Sequence, residues 1–222
     1  MGNREAFIEQ LRRDKDEVLV LGSMVSKALV RSVDALKRRD LSLAHQIIAD
    51  DTKVNEKRFE IENRCIDLIA TQQPVASDLR TVVAILNITT ELERIGDYAA
   101  GIAKIVIMIG DEPPLKPLID IPRMTEITVD MIQNCLNAFL EGDSKRAIQV
   151  IGMDEVVDSL YDQVFRELLT FMMIDPKTIG RATRLIWVAH NIERAADRVT
   201  NICERVVYMV TGKMEELGAS KY

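Results

Sequence analysis

The strongest constraint on this chain is that it repeats itself. Asp40-Leu-Ser-Leu-Ala-His-Gln aligns with Asp143-Ser-Lys-Arg-Ala-Ile-Gln, and Asp51-x-x-Val54 with Asp154-x-x-Val157, all at an offset of 103 residues. Glu93-Arg94-x-x-Asp97 then aligns with Glu193-Arg194-x-x-Asp197, and Ile102 with Ile202, at an offset of 100. A three-residue difference in length between the two later elements of each half accounts for the change. Self-similarity at a fixed period marks one supersecondary unit used twice.

The unit is helical. Ten glycines and six prolines in 222 residues, with 5% aromatics, supply far too few turn residues for an all-β chain, which needs a turn every 8–12 residues or so. The turn signals that exist cut the chain into six stretches: about 3–38, 41–71, 77–109, 122–140, 145–173 and 176–210. Asp40, Asp143 and Asp175 are predicted N-caps, with Pro176 at the first helical position after the last of them. Lys37-Arg38-Arg39 suits a helix C-terminus, and Gly110 and Gly212 are stop signals. Gly110-Asp-Glu-Pro-Pro-Leu-Lys-Pro117 packs three prolines into eight residues. It is the one clear linker, because proline removes a helix donor and clashes with the preceding turn. The expected fold is all-α: two tandem, pseudo-symmetric three-helix bundles, residues 1–110 and 122–222, joined by a linker over 111–121.

The composition, 47% hydrophobic and 29% charged, is that of a globular protein and excludes a disordered one. A net charge of −6 argues against nucleic acid and anionic lipid as partners and favours cations or basic partners. No apolar run is long enough to cross a bilayer, and MGNREAF lacks the apolar region of a signal peptide, so a cytoplasmic location is expected. Cys65, Cys135 and Cys203 form no C-x-x-C and are read as buried apolar residues.

On the third helix Ile85, Ile88, Leu92, Ile95, Ala99, Ile102, Val106 and Ile109 recur at spacings of three and four, a bundle seam. Leu185, Val188, Ile192, Ala195, Val199, Ile202, Val206 and Met209 repeat it on the sixth. At 100° per residue, Glu93 and Asp97 share one face roughly 140–180° from the middle of that seam, and Glu193, Asp197, Asn201 and Glu204 form one stripe. Both sets are therefore expected to point outward. Two carboxylates at i and i+4 repel each other, where a solvent face normally pairs Glu with Lys. Exposed carboxylates without cysteine are hard ligands suited to magnesium, manganese, calcium or oxidised iron. Asp51 with Asn55, and Asp154 with Asp158, are oxygen pairs on the second and fifth helices that can complete a site on a neighbouring helix.

The competing reading is a solvated face, with Arg94 and Arg194 pairing to Asp97 and Asp197. Recurrence of the motif in the same register of both halves favours metal. His190 has Thr90 at its equivalent place and is read as a surface or hydrogen-bonded histidine, and the sequence names no partner for His45. No nucleophilic triad or phosphate loop is present.

Gln72-Gln-Pro-Val-Ala-Ser-Asp-Leu-Arg80, Glu91-Leu-Glu-Arg-Ile-Gly-Asp-Tyr-Ala99 and Asn191-Ile-Glu-Arg-Ala-Ala-Asp-Arg-Val-Thr-Asn-Ile-Cys-Glu-Arg205 together resemble the PhoU family of phosphate-transport regulatory proteins. The resemblance covers nearly the whole chain. It implies two three-helix bundles, each with a surface metal motif, and a negative regulator of the phosphate-starvation response with no catalysis of its own. The implied partners are the ATPase subunit of the phosphate ABC transporter and the phosphate-sensing histidine kinase, with no nucleic acid and with membrane contact only through partners; a homodimer is left open. The implied cofactors are iron, manganese or magnesium ions, as single ions or small multinuclear clusters.

Carried over by position, Glu93 and Asp97 fill the first motif, and Glu193, Asp197 and Asn201 the second, with Asp51 and Asp154 in support; Asp158 joins the candidate ligands through its i, i+4 spacing from Asp154. Gly101 stands where Asn201 stands in the second half and lacks a ligand atom, and Tyr98 and Arg198 occupy places where histidine is common in the family. The second site is thus expected to be the better one. A ferritin-type di-metal oxidase and a metal-free helical scaffold are the alternatives. The first needs inward carboxylates and Glu-x-x-His pairs.

Overall fold

Aspartate side chains fix two of the helix starts. In a computed structural model that describes residues 2–214 and Leu217, the Asp40 carboxylate accepts from the backbone N–H of Leu43 at 2.9 Å. The Asp143 carboxylate accepts from the N–H groups of Lys145 and Arg146, each at 3.0 Å. These aspartates satisfy donors that a helix start leaves without an intrahelical partner. The helices are α1 (Gly2–Arg38), α2 (Leu41–Gln72), α3 (Ser77–Ile109), α4 (Asp120–Glu141), α5 (Ser144–Ile174) and α6 (Ile179–Thr211), with no strand among the described residues.

Two boundaries differ from expectation. α4 begins at Asp120, so Pro122 lies inside the first turn, where its missing N–H costs nothing. Asp175 and Pro176 open a short 3-10 turn, Pro176–Thr178, and α6 proper starts at Ile179. Thr178 explains this: its hydroxyl donates back to the Asp175 carbonyl at 2.7 Å, and its N–H does so at 2.9 Å. At the other ends, α3 and α6 stop at Gly110 (φ 62°) and Gly212 (φ 74°), a backbone region that glycine enters without steric cost.

α3 packs against α1 and α2, and α6 against α4 and α5; the halves then join through α3 with α6 and through α1 with α4. The result is a single hydrophobic cluster to which all six helices contribute, among them Leu21, Ile61, Ile95, Phe139, Val157 and Ile192. Each such side chain stabilises the fold by about 1.5–3 kcal/mol through burial. Both predicted seams are buried, apart from the half-buried Ile109 at the end of the first. A second set is buried beside them: Gly96, Ala100 and Ala103 on α3, and Ala189, Ala196 and Cys203 on α6. All three cysteines are buried and free. α3 comes close to α6 at Gly101, where an added Cβ would stand 3.0 Å from Asn191 Oδ1.

Candidate metal centre

α6 brings Glu193 to the groove it forms with α5. The residue is only 8% exposed. Burial pushes its carboxyl up to about 7; Asp197 on its own helix and Asp158 and Asp154 on α5 push the same way, against Arg194. One oxygen, Glu193 Oε2, is buried and accepts no hydrogen bond. His190 Nδ1 lies 3.2 Å from it, at ion-pair distance without hydrogen-bond geometry. Burial and the neighbouring Arg194 hold that imidazole below the usual histidine range. Asp197 is also raised by burial, against Arg194 and Arg198, and Arg194 Nη1 donates to Asp197 Oδ2 at 3.0 Å.

The equivalent groove lies between α2 and α3. Glu93 has a side chain 13% exposed, and Arg58 of α2 donates to its Oε1 through Nη1 at 3.0 Å. Burial raises the Glu93 carboxyl, with Asp97 adding to the rise and Arg58 opposing it. Asp51 is raised by burial and then by Asp97, and lowered by Lys104. Its Oδ1 would be 3.5 Å from a Cβ at Gly96 of α3.

The expectation that both acidic sets face outward is corrected by this geometry. Asp97 is exposed, but Glu93 is half-buried and Glu193 buried. An angle from the seam refers to one buried face, whereas α3 and α6 each pack on three other helices, so that α2 and α5 cover the glutamates. The four-residue stripe on α6 also divides. Asn201 turns toward α3, where its Nδ2 donates to Glu91 Oε2 at 3.4 Å, and Glu204 accepts from the N–H of Leu217 at 2.9 Å.

What the fold does bring together is Glu193, Asp197, Asp154 and Asp158 in one groove, and Asp51, Glu93 and Asp97 in the other. Among the described residues, no three His, Cys, Asp or Glu side chains stand in a ready-made coordination arrangement.

Arg58 is the site residue that sequence reasoning missed. The halves carry the signal, since the offset of 103 that pairs Asp51 with Asp154 also pairs Arg58 with Tyr161. The α3–α6 contacts were missed as well. Arg198 donates to Glu91 Oε2 at 3.3 Å and reaches the Tyr98 hydroxyl at 3.5 Å, so these residues join the two halves.

The comparisons with known proteins agree with this architecture. The PhoU domain model matches residues 18–106 and again 121–206. A phosphate-specific transport system accessory protein PhoU homolog of Aquifex aeolicus is 37% identical over 94% of this chain and 94% of its own length. A protein of the same description from Caulobacter vibrioides is 38% identical over 98% of this chain and 94% of its own. The crystal structure of PhoU from Pseudomonas aeruginosa superposes with a TM-score of 0.88 at 34% identity, covering 93% of this chain and all (100%) of that one. The phosphate transport system regulatory protein PhoU from Streptococcus pneumoniae gives 0.87 at 32% identity, covering 94% and 99%. With the family model matched twice, at the places where the chain repeats itself, this protein belongs to the PhoU family.

Proposed function

We propose that the protein is a metal-binding regulatory adaptor: an accessory protein of a phosphate-specific transport system that restrains the phosphate-starvation response while phosphate is plentiful. Its partners in this reading are the transporter ATPase subunit and the phosphate-sensing histidine kinase. No helix among the described residues is long and apolar enough to cross a membrane, so on this reading it works from the cytoplasm and meets the membrane through those partners.

The observation that carries the metal reading is Glu193 Oε2, a buried carboxylate oxygen without a hydrogen-bond donor, surrounded by the negative charges of Asp197, Asp158 and Asp154. A buried carboxylate in such company is costly unless it is protonated or meets a cation. Glu193, Asp197, Asp154 and Asp158 would hold the ion. Their all-oxygen donor set fits magnesium, manganese or iron rather than zinc in a thiolate cage. A bound ion would tie α5 to α6 and fix the groove's surface for a partner.

Burial of Glu193 removes one objection to a di-metal oxidase, the outward direction of the carboxylates. The other stands: that chemistry uses Glu-x-x-His pairs, and this chain has His190-x-x-Glu193 in the reverse order and in one half only. The experiment that tests the adaptor reading is a pull-down from cells grown at high and low phosphate, with and without chelator, probed for the ATPase and the kinase. Capture of both, sensitive to phosphate or chelator, is expected; failure to capture either under every condition contradicts it.

A further inference from the structure

The two grooves hold equivalent places in the duplicated fold; Arg198, at the place of Tyr98, brings a positive charge toward Asp197 in the second, whereas at three other positions the charge difference runs the opposite way. Arg58 of α2 corresponds to Tyr161 of α5, Asn55 to Asp158, and Lys104 of α3 to Glu204 of α6. Those positions supply two positive charges in the first half and two negative charges in the second.

Arg58 is firmly held in its groove. Nη1 donates to Glu93 Oε1 at 3.0 Å and Nε to Glu62 Oε1 at 2.9 Å, so one guanidinium bridges carboxylates of α3 and α2. Its carbon lies 4.9 Å from the centroid of the Phe59 ring, over the ring face. The planar guanidinium keeps its charge at every relevant pH and matches carboxylate geometry with several donors at once. A fixed positive charge there engages Glu93 Oε1 and repels an incoming divalent ion. Lys104 acts in the same direction on Asp51. In the second groove the ring of Tyr161 stands 6.0 Å from that of His190, so the place of Arg58 is taken by an uncharged side chain; Arg194 there bonds Asp197 at 3.0 Å and leaves Glu193 Oε2 without a donor.

We infer that Arg58 is the resident cation of the α2–α3 groove, taking the place that a divalent metal ion takes between α5 and α6, so that the chain has one metal-responsive half and one half closed by its own arginine. The inference rests on the metal reading above, and it makes Arg58 the residue that decides which repeat takes metal. Its consequence for the adaptor is that metal supply changes the α5–α6 surface alone, while the α2–α3 surface is constant.

The test is calorimetric titration of the chelator-stripped full chain with Mn(II), with circular dichroism to verify the fold of each variant. For the wild type, Glu193→Gln is expected to weaken binding at least ~10-fold, while Glu93→Gln leaves it unchanged. Arg58→Tyr is expected to add a second class of sites, which Glu93→Gln then removes. Arg58→Gln, which keeps a hydrogen-bond donor and deletes the charge, gives the same gain in a milder background. In the other half, Tyr161→Arg is expected to abolish the wild-type site.

Loss of wild-type binding on Glu93→Gln, or absence of a new class of sites in both folded Arg58 variants, overturns the inference and leaves the metal reading standing. Absence of Mn(II) binding in the wild type and every variant overturns the metal reading itself.

Discussion

His190 Nδ1 lies 3.2 Å from Glu193 Oε2, one turn away on α6, and the groove disfavours the charged form of both. Burial lowers the imidazole and raises the carboxyl to about 7. Near neutrality the pair therefore tends toward two uncharged partners, and a proton sits where a metal ion would be held.

A dependence of stability on pH follows. Because the Glu193 carboxyl is raised from 4.5 to about 7 by folding, the folded state keeps a proton that the unfolded state has lost between those values. Stability from this group is fully present below about pH 4.5 and is lost as pH rises through 7, an effect on the order of 3 kcal/mol. His190, lowered on folding, acts in the opposite sense: its contribution is present above its unfolded value and is lost as pH falls. Comparing Glu193→Gln with the wild type isolates the carboxyl. In urea melts of chelator-treated protein the variant is expected to match the wild type at pH 4 and to exceed it at pH 8.

Metal and proton compete for the same oxygen. Mn(II) affinity is expected to rise about tenfold per pH unit below 7 and to flatten above it, since the ligand must be deprotonated to bind. Titration in two buffers of different ionisation enthalpy measures the proton released. A pH-independent affinity between 5.5 and 7 contradicts the assignment of Glu193 as a ligand.

The repeated caps give a test that involves no metal. Asp40 and Asp143 each close a helix start with backbone N–H bonds of 2.9–3.0 Å, so each Asp→Ala change is expected to cost about 1 kcal/mol. The two lie in different halves of the molecule, and the double variant is expected to show the sum. Denaturant melts of the two single variants and the double variant check both statements.

An ion pair between a buried aspartate and a half-buried arginine gives another. Asp14 on α1 is 0% exposed, and Arg64 Nε of α2 stands 3.1 Å from its Oδ1. Arg64→Leu leaves a buried carboxyl without its counter-charge and is expected to cost about 3 kcal/mol at pH 8. Less is expected at pH 4, because burial already raises this carboxyl and a proton can neutralise it. Asp14→Leu in the Arg64→Leu background is expected to recover most of the loss, a result that the double-variant melt reads directly.

The fold was legible because its signals are local or periodic. Asp40 and Asp143 cap within three residues, Gly212 stops α6 within one residue, and the seams of α3 and α6 carry helical spacing along their whole length. The direction of Glu193 was not legible. A helical wheel measures an angle from one buried face and is silent on how many neighbours a helix has, and α6 has three. Asn201 shows the same limit, since its partner Glu91 lies 110 residues away on a helix of the other half. Arg58 was hidden for a related reason: its ion pair spans 35 residues, and only comparison with Tyr161 at the duplicated position shows that a charge there belongs to one half alone.

The most direct measurement of the central claim is anomalous diffraction, at the manganese edge, from crystals of the full chain grown with Mn(II). A peak in the groove between α5 and α6, beside Glu193 and Asp197, is the predicted result. A map with no peak there, or with its only peaks on carboxylates outside that groove, would contradict the account.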